Sequence, residues 1–154
     1  VISKISNNIR VFGPGWKNYK TSNSWAGDVY MEDGVWEQDY SIALNSAKIV
    51  LCLLSKYFPE TTTTRTFEIP ACGAFMLAER TNDHISLFEE GKEAEFFSTD
   101  IELKDKIKYY LKNDLARKKI ARAGYERCIK SGYDNHQRMK QVIEFAKNVP
   151  VHQG

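Results

Sequence analysis

Apolar residues along the chain follow two patterns, short continuous runs and runs spaced three or four residues apart. The continuous runs predict β-strands, and the longest of them is IVLCLL at residues 49–54. Its branched side chains are typical of a central strand that is buried on both faces. The predicted strands are residues 9–13, 27–31, 49–54, 74–79 and 94–98.

Helical spacing begins at Trp36, after which apolar residues recur every three or four positions through Tyr40 and Leu44. This spacing predicts an amphipathic helix. A second, shorter helix is predicted at residues 85–91, where Gly91 is expected to end it.

The last third of the chain is predicted to be helical throughout. Thr99 and Glu102 have the spacing of a capping box, which marks the start of a helix. Asn113 is expected to cap the next helix, and Asp134 with Gln137 is expected to cap the last one.

Strands that alternate with helices predict an α/β fold, a Rossmann-like three-layer sandwich with a mostly parallel sheet and a helical C-terminal segment. A chain of 154 residues is expected to form one domain, residues 1–150, followed by a short tail at 151–154. In such sheets ligands bind at the carboxyl ends of the strands, in the loops that lead into helices.

The net charge, the length of the apolar runs and the cysteines argue against several kinds of partner and site. The formal net charge is +2, which argues against a nucleic-acid partner held by bulk charge. The six-residue run at 49–54 is far shorter than the roughly 20 residues of a membrane span. Cys52, Cys72 and Cys128 lie far apart in apolar patterns, which predicts reduced core thiols in a cytosolic protein. No Cys or His spacing indicates a metal site.

The loop after the central strand carries the most informative chemistry. It reads PETTTTRTFEIPACGAF at residues 59–75. A helix starting near Thr66 would direct the free N–H groups of its first turn, and the hydroxyl of Thr64 or Thr66, out of the sheet edge. Such a helix start binds anions, most often phosphate, and the guanidinium of Arg65 adds a fork that matches phosphate oxygens.

Glu68 would lie in the first turn of that helix, where its carboxylate can accept hydrogen bonds from sugar hydroxyls. An alternative stays open, in which Glu68 only complements the helix dipole and Arg65 only pairs with Glu68. Pro70 removes a backbone donor, so we expect the helix either to start at Thr66 or later or to be distorted at Pro70.

Three other places are weaker candidates. The GPGW turn at residues 13–16 ends the first strand, and its Gly13 and Gly15 allow close backbone approach while Lys17 adds charge; a plain turn is the alternative. Tyr30 is expected to end a strand at the ligand edge, beside a base or as a core or rim aromatic. His84 is expected in a loop, either touching a ligand or on the surface.

The stretch RTFEIPACGAFMLAE at residues 65–79, followed by residues 87–128, resembles the C-terminal region of the CgeB-like glycosyltransferases, a branch of the two-domain GT-B superfamily. The resemblance covers roughly residues 9–145. It implies that this domain binds the nucleotide of a sugar donor, while an N-terminal domain of a longer parent chain carries most of the acceptor site.

The resemblance also implies roles for particular residues. Glu68 matches the glutamate that contacts the donor ribose, and the loop of Thr63, Thr64, Arg65 and Thr66 matches the loop whose backbone amides face the diphosphate. Glu60 stands eight positions before Glu68, the spacing at which many retaining enzymes of this superfamily place a catalytic glutamate near the donor sugar. A solvated loop carboxylate is the alternative for Glu60, because threonines replace the usual glycine-rich lead.

The expected function is a hexosyltransferase that uses a UDP- or GDP-linked sugar, without another cofactor, and a glycan, lipid or protein acceptor. The absence of a D-x-D pair argues against a metal-bridged diphosphate. The resemblance implies bacterial polysaccharide synthesis in the cytoplasm, with peripheral contact at the inner membrane face as an option. The domain alone is expected to be inactive. The alternative is a non-catalytic Rossmann-like interaction module in a surface-polysaccharide or spore-coat assembly.

Overall fold

The strand-type runs of the sequence form five short strands in the part of the chain that the structure describes. The computed structural model describes residues 8–13 and 30–149, with the backbone alone for residues 30–32. Four strands lie inside the runs that predicted them, and the second extends one residue further. The strands are β1 (Arg10–Phe12), β2 (Tyr30–Glu32), β3 (Val50–Cys52), β4 (Met76–Glu79) and β5 (Glu95–Phe97).

The longer helices follow the segments with a three-to-four-residue apolar spacing. None of the helices in the described ranges is long and apolar enough to cross a membrane. The helices are α1 (Glu37–Ser46), α2 (Arg65–Ala71), α3 (Asn82–Leu87), α4 (Asp100–Lys112), α5 (Asp114–Lys130) and α6 (Asn135–Asn148).

All described strand pairs are parallel. β1 pairs with β2, and a separate sheet has the order β3-β4-β5, with Leu51 opposite Leu77 and Ala78 opposite Phe96. The expected α/β class with a parallel sheet and helices is therefore confirmed. Because the three strands run in the same direction, the loops that follow β3, β4 and β5 all leave from one edge of this sheet.

Two hydrophobic clusters cover the two faces of the three-stranded sheet. Met76 and Ala78 belong to one cluster, with Cys52, Ile69 and Phe96. Phe75 and Leu77, which alternate with them along the chain, belong to the other cluster, with residues of α4 and α5 such as Leu103 and Ile120. The alternation follows from the two-residue period of a strand and explains why the run is continuously apolar.

The helix caps confirm most of the capping predictions. The Thr99 hydroxyl accepts from the Glu102 amide at 3.2 Å, and the Asp134 carboxylate accepts from the Gln137 amide at 2.9 Å. The prediction for Asn113 is right in position only. Asn113 is the N-cap residue of α5, but its side chain makes no capping hydrogen bond there and donates instead to the Tyr109 carbonyl at the end of α4, at 2.7 Å.

The bounds predicted for the short third helix are wrong at both ends. α3 begins at Asn82 because the Thr81 hydroxyl accepts from the His84 amide at 3.0 Å and caps the helix there. Phe88 is already extended, and Gly91 lies in the following turn with φ 76°, a conformation that favours glycine.

All three cysteines are free thiols, as predicted. Cys52 and Cys128 are buried, and Cys72 is half-buried. Burial raises the pKa of the Cys128 thiol to about 11, so this thiol stays protonated at neutral pH.

Candidate functional site

The loop between β3 and α2 lies at the carboxyl edge of the three-stranded sheet, as its position in the sequence predicts. α2 begins at Arg65, one residue before the expected start near Thr66. Pro70 is tolerated because the helix ends at the next residue, Ala71, and Gly73 follows with φ 73° and donates to the Pro70 carbonyl at 2.8 Å. A short helix thus avoids most of the strain that proline causes in a helix interior.

The first-turn amides of α2 do not point freely out of the sheet edge, so this part of the anion-site prediction is wrong. The Arg65 amide donates to the Thr63 hydroxyl at 3.2 Å, and the Thr66 amide donates to the Thr63 carbonyl at 3.1 Å. Thr63 therefore satisfies the donors that the helix start leaves unpaired. In the described part of the chain, the amides of Thr62 and Thr64 donate to no other group.

Thr66 is fully buried, so the expectation that its hydroxyl points out of the edge is also wrong. The hydroxyl oxygen accepts from the Thr63 amide at 3.1 Å and lies 2.9 Å from Nε2 of His84. It also lies 3.8 Å from the Cys52 sulfur, at the end of β3. Thr66 packs under the loop and does not face outward.

Arg65 and Glu68 are both exposed on α2, in contrast to Thr66. Within the described residues they form no ion pair with each other, so the local Arg65–Glu68 pair is not realised. Glu68 Oε2 accepts instead from the Tyr40 hydroxyl of α1 at 2.8 Å. Burial, and then the hydrogen bond to Glu68, raise the pKa of Tyr40, so the phenol remains a donor and holds one oxygen of the carboxylate.

Glu60 is an exposed residue of the same loop. Its Oε2 accepts from the Ser55 amide at 3.0 Å, which closes the turn that follows β3. The next residue, Thr61, donates through its hydroxyl to the carboxylate of Asp83. Glu60 therefore faces solvent at the sheet edge, and its catalytic role stays a prediction.

His84 lies in α3 and is fully buried, so both expectations for it, a ligand contact and a surface position, are wrong. Its Nδ1 lies 2.6 Å from the Glu79 carbonyl, and its ring stacks on Phe96 with 5.7 Å between centroids. The Thr81 cap explains this placement, because it starts the helix at Asn82, three residues before the predicted start, and turns His84 inward.

The candidates from the first strands are only partly described. Gly13 follows β1 with φ 144°, a conformation that glycine adopts without strain. Gly15 and Lys17 lie outside the described residues. Tyr30 is at the amino end of β2, opposite Arg10, so the expectation that it ends this strand at the carboxyl edge is wrong.

A second charged cluster, which we call the Arg80 network, comprises Arg80, Glu90, Glu95, Glu102 and Lys106. The Arg80 guanidinium donates to both carboxylate oxygens of Glu102, at 2.8 and 3.0 Å, and also to Glu90. The hydrogen bonds from Arg80 lower the pKa of Glu102 to about 2.

The Arg80 network continues along the outer strand β5. Lys106 donates to Glu95 at 2.6 Å and to Glu90 at 2.8 Å, and the Tyr110 hydroxyl donates to the nearly buried Glu95 at 2.5 Å. The partners are 10 to 22 residues apart except for neighbours on α4, so no local motif predicts the network. It connects β4, β5 and α4 and is satisfied internally.

We searched residues 8–13 and 30–149 for side chains that could bind a metal ion. No group of three or more His, Cys, Asp or Glu side chains in these ranges is placed to hold a metal ion. Cationic side chains at this edge of the sheet include Arg65, Arg80 and Lys56, and Lys56 donates to the carboxylate of Glu79.

The structure is similar to solved structures of two other proteins. The Anabaena Alr3699/HepE complex with UDP-glucose matches 96% of this chain and 43% of its own at 15% identity, with a TM-score of 0.73. The complex of the same protein with UDP matches the same shares at 14% identity and a TM-score of 0.71. The C-terminal domain of the Francisella tularensis group 1 glycosyl transferase LpcC matches 74% of this chain and 58% of its own at 14% identity, with a TM-score of 0.57.

These likenesses support the fold, and the chain spans less than half the length of the Anabaena protein. A comparison with curated proteins finds no match. The family model described as glycosyl transferase-like matches residues 2–144, which is nearly the whole chain. The protein therefore belongs to the glycosyl transferase-like family.

Proposed function

We propose that this domain binds the nucleoside-diphosphate sugar of a glycosyltransferase at the carboxyl edge of its three-stranded sheet. The observation that carries the proposal is the pair Arg65 and Glu68, exposed side by side on α2 and not paired with each other. Family membership and the UDP and UDP-glucose complexes of a structural relative support the same assignment. The proposed binding unit is residues 1–150, with a tail at 151–154.

Glu68 is the proposed ribose contact. The Tyr40 hydroxyl holds Glu68 Oε2 at 2.8 Å and leaves Oε1 available to accept from a sugar hydroxyl. A carboxylate whose orientation is set before binding loses less side-chain entropy when the ligand arrives.

Arg65 is the proposed diphosphate contact, because a guanidinium can donate two parallel hydrogen bonds to phosphate oxygens. The amides of Thr62 and Thr64, which have no partner within residues 8–13 and 30–149, add neutral donors beside it. Such donors stabilise the charge that develops on the leaving diphosphate when the bond to the sugar breaks. Thr63 contributes by shaping the loop, since its hydroxyl and carbonyl are already engaged by α2.

Glu60, in the first half of the loop between β3 and α2, is proposed to approach the donor sugar. Its exposed carboxylate is bound only by the Ser55 amide among the described residues, so its other oxygen can face the sugar. Gly13, Gly15 and Lys17 are proposed to border the phosphates.

The donor is proposed to be a UDP- or GDP-linked hexose, used without another cofactor. The acceptor, a glycan, lipid or protein, would be held by an N-terminal domain of a longer chain, so the domain alone would be inactive. We place the activity in the bacterial cytoplasm, in polysaccharide synthesis, with peripheral contact at the inner membrane face as an option.

Calorimetric titration of the protein with UDP, GDP and UDP-glucose tests the site. We expect Arg65→Ala and Glu68→Ala each to weaken binding about 10- to 100-fold, because a hydrogen bond to a charged group contributes roughly 1.5–3 kcal/mol. Arg122→Ala and Glu144→Ala are the matched controls, since both residues are exposed on other helices, and they should bind as the wild type does.

Equal affinity of the wild type and both α2 variants would contradict the site. Absence of binding to all three nucleotides, together with a stable dimer in solution, would instead favour the non-catalytic interaction module.

A further inference from the structure

The segment from β4 into α3 holds the loop between β3 and α2 through its side chains. Glu79 Oε1 accepts from the Leu54 amide at 2.9 Å, near the start of the loop. The Thr81 hydroxyl donates to the Thr61 carbonyl at 2.9 Å, in the middle of the loop. His84 contacts the Thr66 hydroxyl at 2.9 Å, where the loop enters α2. One segment thus fixes the loop at its beginning, middle and end.

The hydrogen bond between Thr66 and His84 has one direction when the imidazole is neutral. The Glu79 carbonyl can only accept, so the proton of the neutral imidazole lies on Nδ1, 2.6 Å away. Nε2 is then an acceptor, and the Thr66 hydroxyl donates to it. The Thr66 oxygen in turn accepts from the Thr63 amide at 3.1 Å. The chain of hydrogen bonds therefore runs from the Thr63 amide through Thr66 to His84 and ends at the Glu79 carbonyl.

His84 is itself held firmly. It has no exposed surface and stacks on Phe96, and its backbone amide donates to the Thr81 cap at 3.0 Å. Buried side-chain polar atoms in the described residues all have partners, so removing one member would leave an unsatisfied group.

Thr63, at the far end of this chain of hydrogen bonds, sets the start of α2. Its hydroxyl accepts from the Arg65 amide and its carbonyl accepts from the Thr66 amide. A change in the backbone and side-chain angles of Thr63 would release both amides and displace the first turn of the helix. Arg65 lies in that turn and Glu68 follows one turn later.

We propose that His84 is a positioning residue of the donor site, which acts through Thr66 and Thr63 to fix the helix start that presents Arg65 and Glu68. This inference rests on the proposed function for its effect on ligand affinity. Its effect on the shape of the loop exists with or without a ligand. His84 touches neither Arg65 nor Glu68 and is not a catalytic residue.

Two substitutions of His84 distinguish the loss of its hydrogen bond to Thr66 from a general loss of stability. His84→Gln places an amide oxygen near the position of Nε2 and keeps an acceptor for Thr66, whereas His84→Asn keeps a donor for the Glu79 carbonyl and loses that acceptor. Each variant loses the ring stacking and one hydrogen bond. In a second pair, Thr66→Ser keeps the hydroxyl but removes a buried methyl group, and Thr66→Val removes the hydroxyl at nearly constant volume. Ser86→Ala, on the exposed side of α3, is the control for effects on that helix.

The measurements are UDP affinity by calorimetry and amide hydrogen exchange at Thr63 without ligand. We expect His84→Asn and Thr66→Val to weaken UDP binding about tenfold and to speed exchange at Thr63. His84→Gln, Thr66→Ser and Ser86→Ala should keep most of the affinity and of the protection. Because the Thr66 pair needs no change in α3, it decides the question if the His84 variants do not fold.

Equal UDP affinity and equal Thr63 exchange within the matched pairs would overturn the inference, even if all variants were less stable than the wild type. A wild type that binds no nucleotide would overturn the proposed function instead. In that case faster Thr63 exchange in His84→Asn and Thr66→Val would still support the positioning of the loop by His84, and unchanged exchange would overturn it.

Discussion

Two groups of charged side chains lie on the three-stranded sheet, one at its carboxyl edge and one that extends from that edge along β5, and they differ in how fully they are paired. The Arg80 network is closed, because Arg80 binds both oxygens of Glu102 and Lys106 binds Glu95 and Glu90. Arg65 and Glu68 on α2 are exposed and unpaired with each other. Their charges are available to a ligand, whereas those of the Arg80 network already stabilise the protein.

The difference shows which charged residues qualify as a binding site. A buried or half-buried charge needs partners inside the protein, and once it has them it has little capacity left for a ligand. An exposed charge is stable without a protein partner, since water solvates it. The two groups should therefore respond in opposite ways to substitution, one in stability and the other in affinity.

The largest effect is expected from Lys106→Met, which removes the cation beside the nearly buried Glu95. Removing one member of a buried ion pair typically costs about 3–5 kcal/mol. Because Lys106 is partly exposed, we expect the free energy of unfolding to fall by about 3 kcal/mol, the lower end of this range. Urea denaturation measures the change. Lys108→Met, on the exposed face of the same helix, should change stability by less than about 0.5 kcal/mol.

UDP affinity of folded Lys106→Met should remain within about twofold of the wild type. A large loss of affinity without a loss of stability would show that the Arg80 network belongs to the binding site and would remove the contrast between the two groups.

The next largest effect is expected in the pH dependence of the free energy of unfolding. Arg80 lowers the pKa of Glu102 from 4.5 to about 2, so the folded state favours the ionised carboxylate. The stabilisation is present above pH 4.5 and is lost as the pH falls towards about 2. Glu102→Gln should be less stable than the wild type at pH 7, and the two should converge near pH 2 in denaturation series. Parallel curves across this range would contradict the pairing.

The smallest effect is expected from Tyr40→Phe, which removes the hydroxyl that holds Glu68 at 2.8 Å. We expect UDP affinity to fall about threefold, because Tyr40 only orients Glu68 and does not contact the ligand. The free energy of unfolding should change little. Tyr125→Phe, an exposed tyrosine of α5, is the control. If Tyr40→Phe has no effect in a Glu68→Ala background but weakens binding alone, Tyr40 acts through Glu68.

Much of the fold follows from the local pattern, while the site follows from it only in part. The continuously apolar runs at residues 49–54, 74–79 and 94–98 predict β3, β4 and β5, because a strand buried on both faces has no polar side. The exposed positions of Arg65 and Glu68 on a helix at the sheet edge agree with the same reasoning. His84 and Thr66 do not. The cap at Thr81 shifts the start of α3 and turns His84 inward, and Thr66 is buried because its hydroxyl bonds to the Thr63 amide and to His84.

By itself, the sequence determined the parallel α/β arrangement and the resemblance to glycosyltransferases, and it predicted the loop after β3 as the place for a ligand. These properties depend on periodicity and on neighbours along the chain. Only the tertiary structure decided which polar residues are available. The partners of Arg80 and the link from His84 to Thr66 join residues 10 to 22 positions apart, and such pairings depend on how the strands and helices pack. The free charge of Arg65 and Glu68 is known only after these pairings are known.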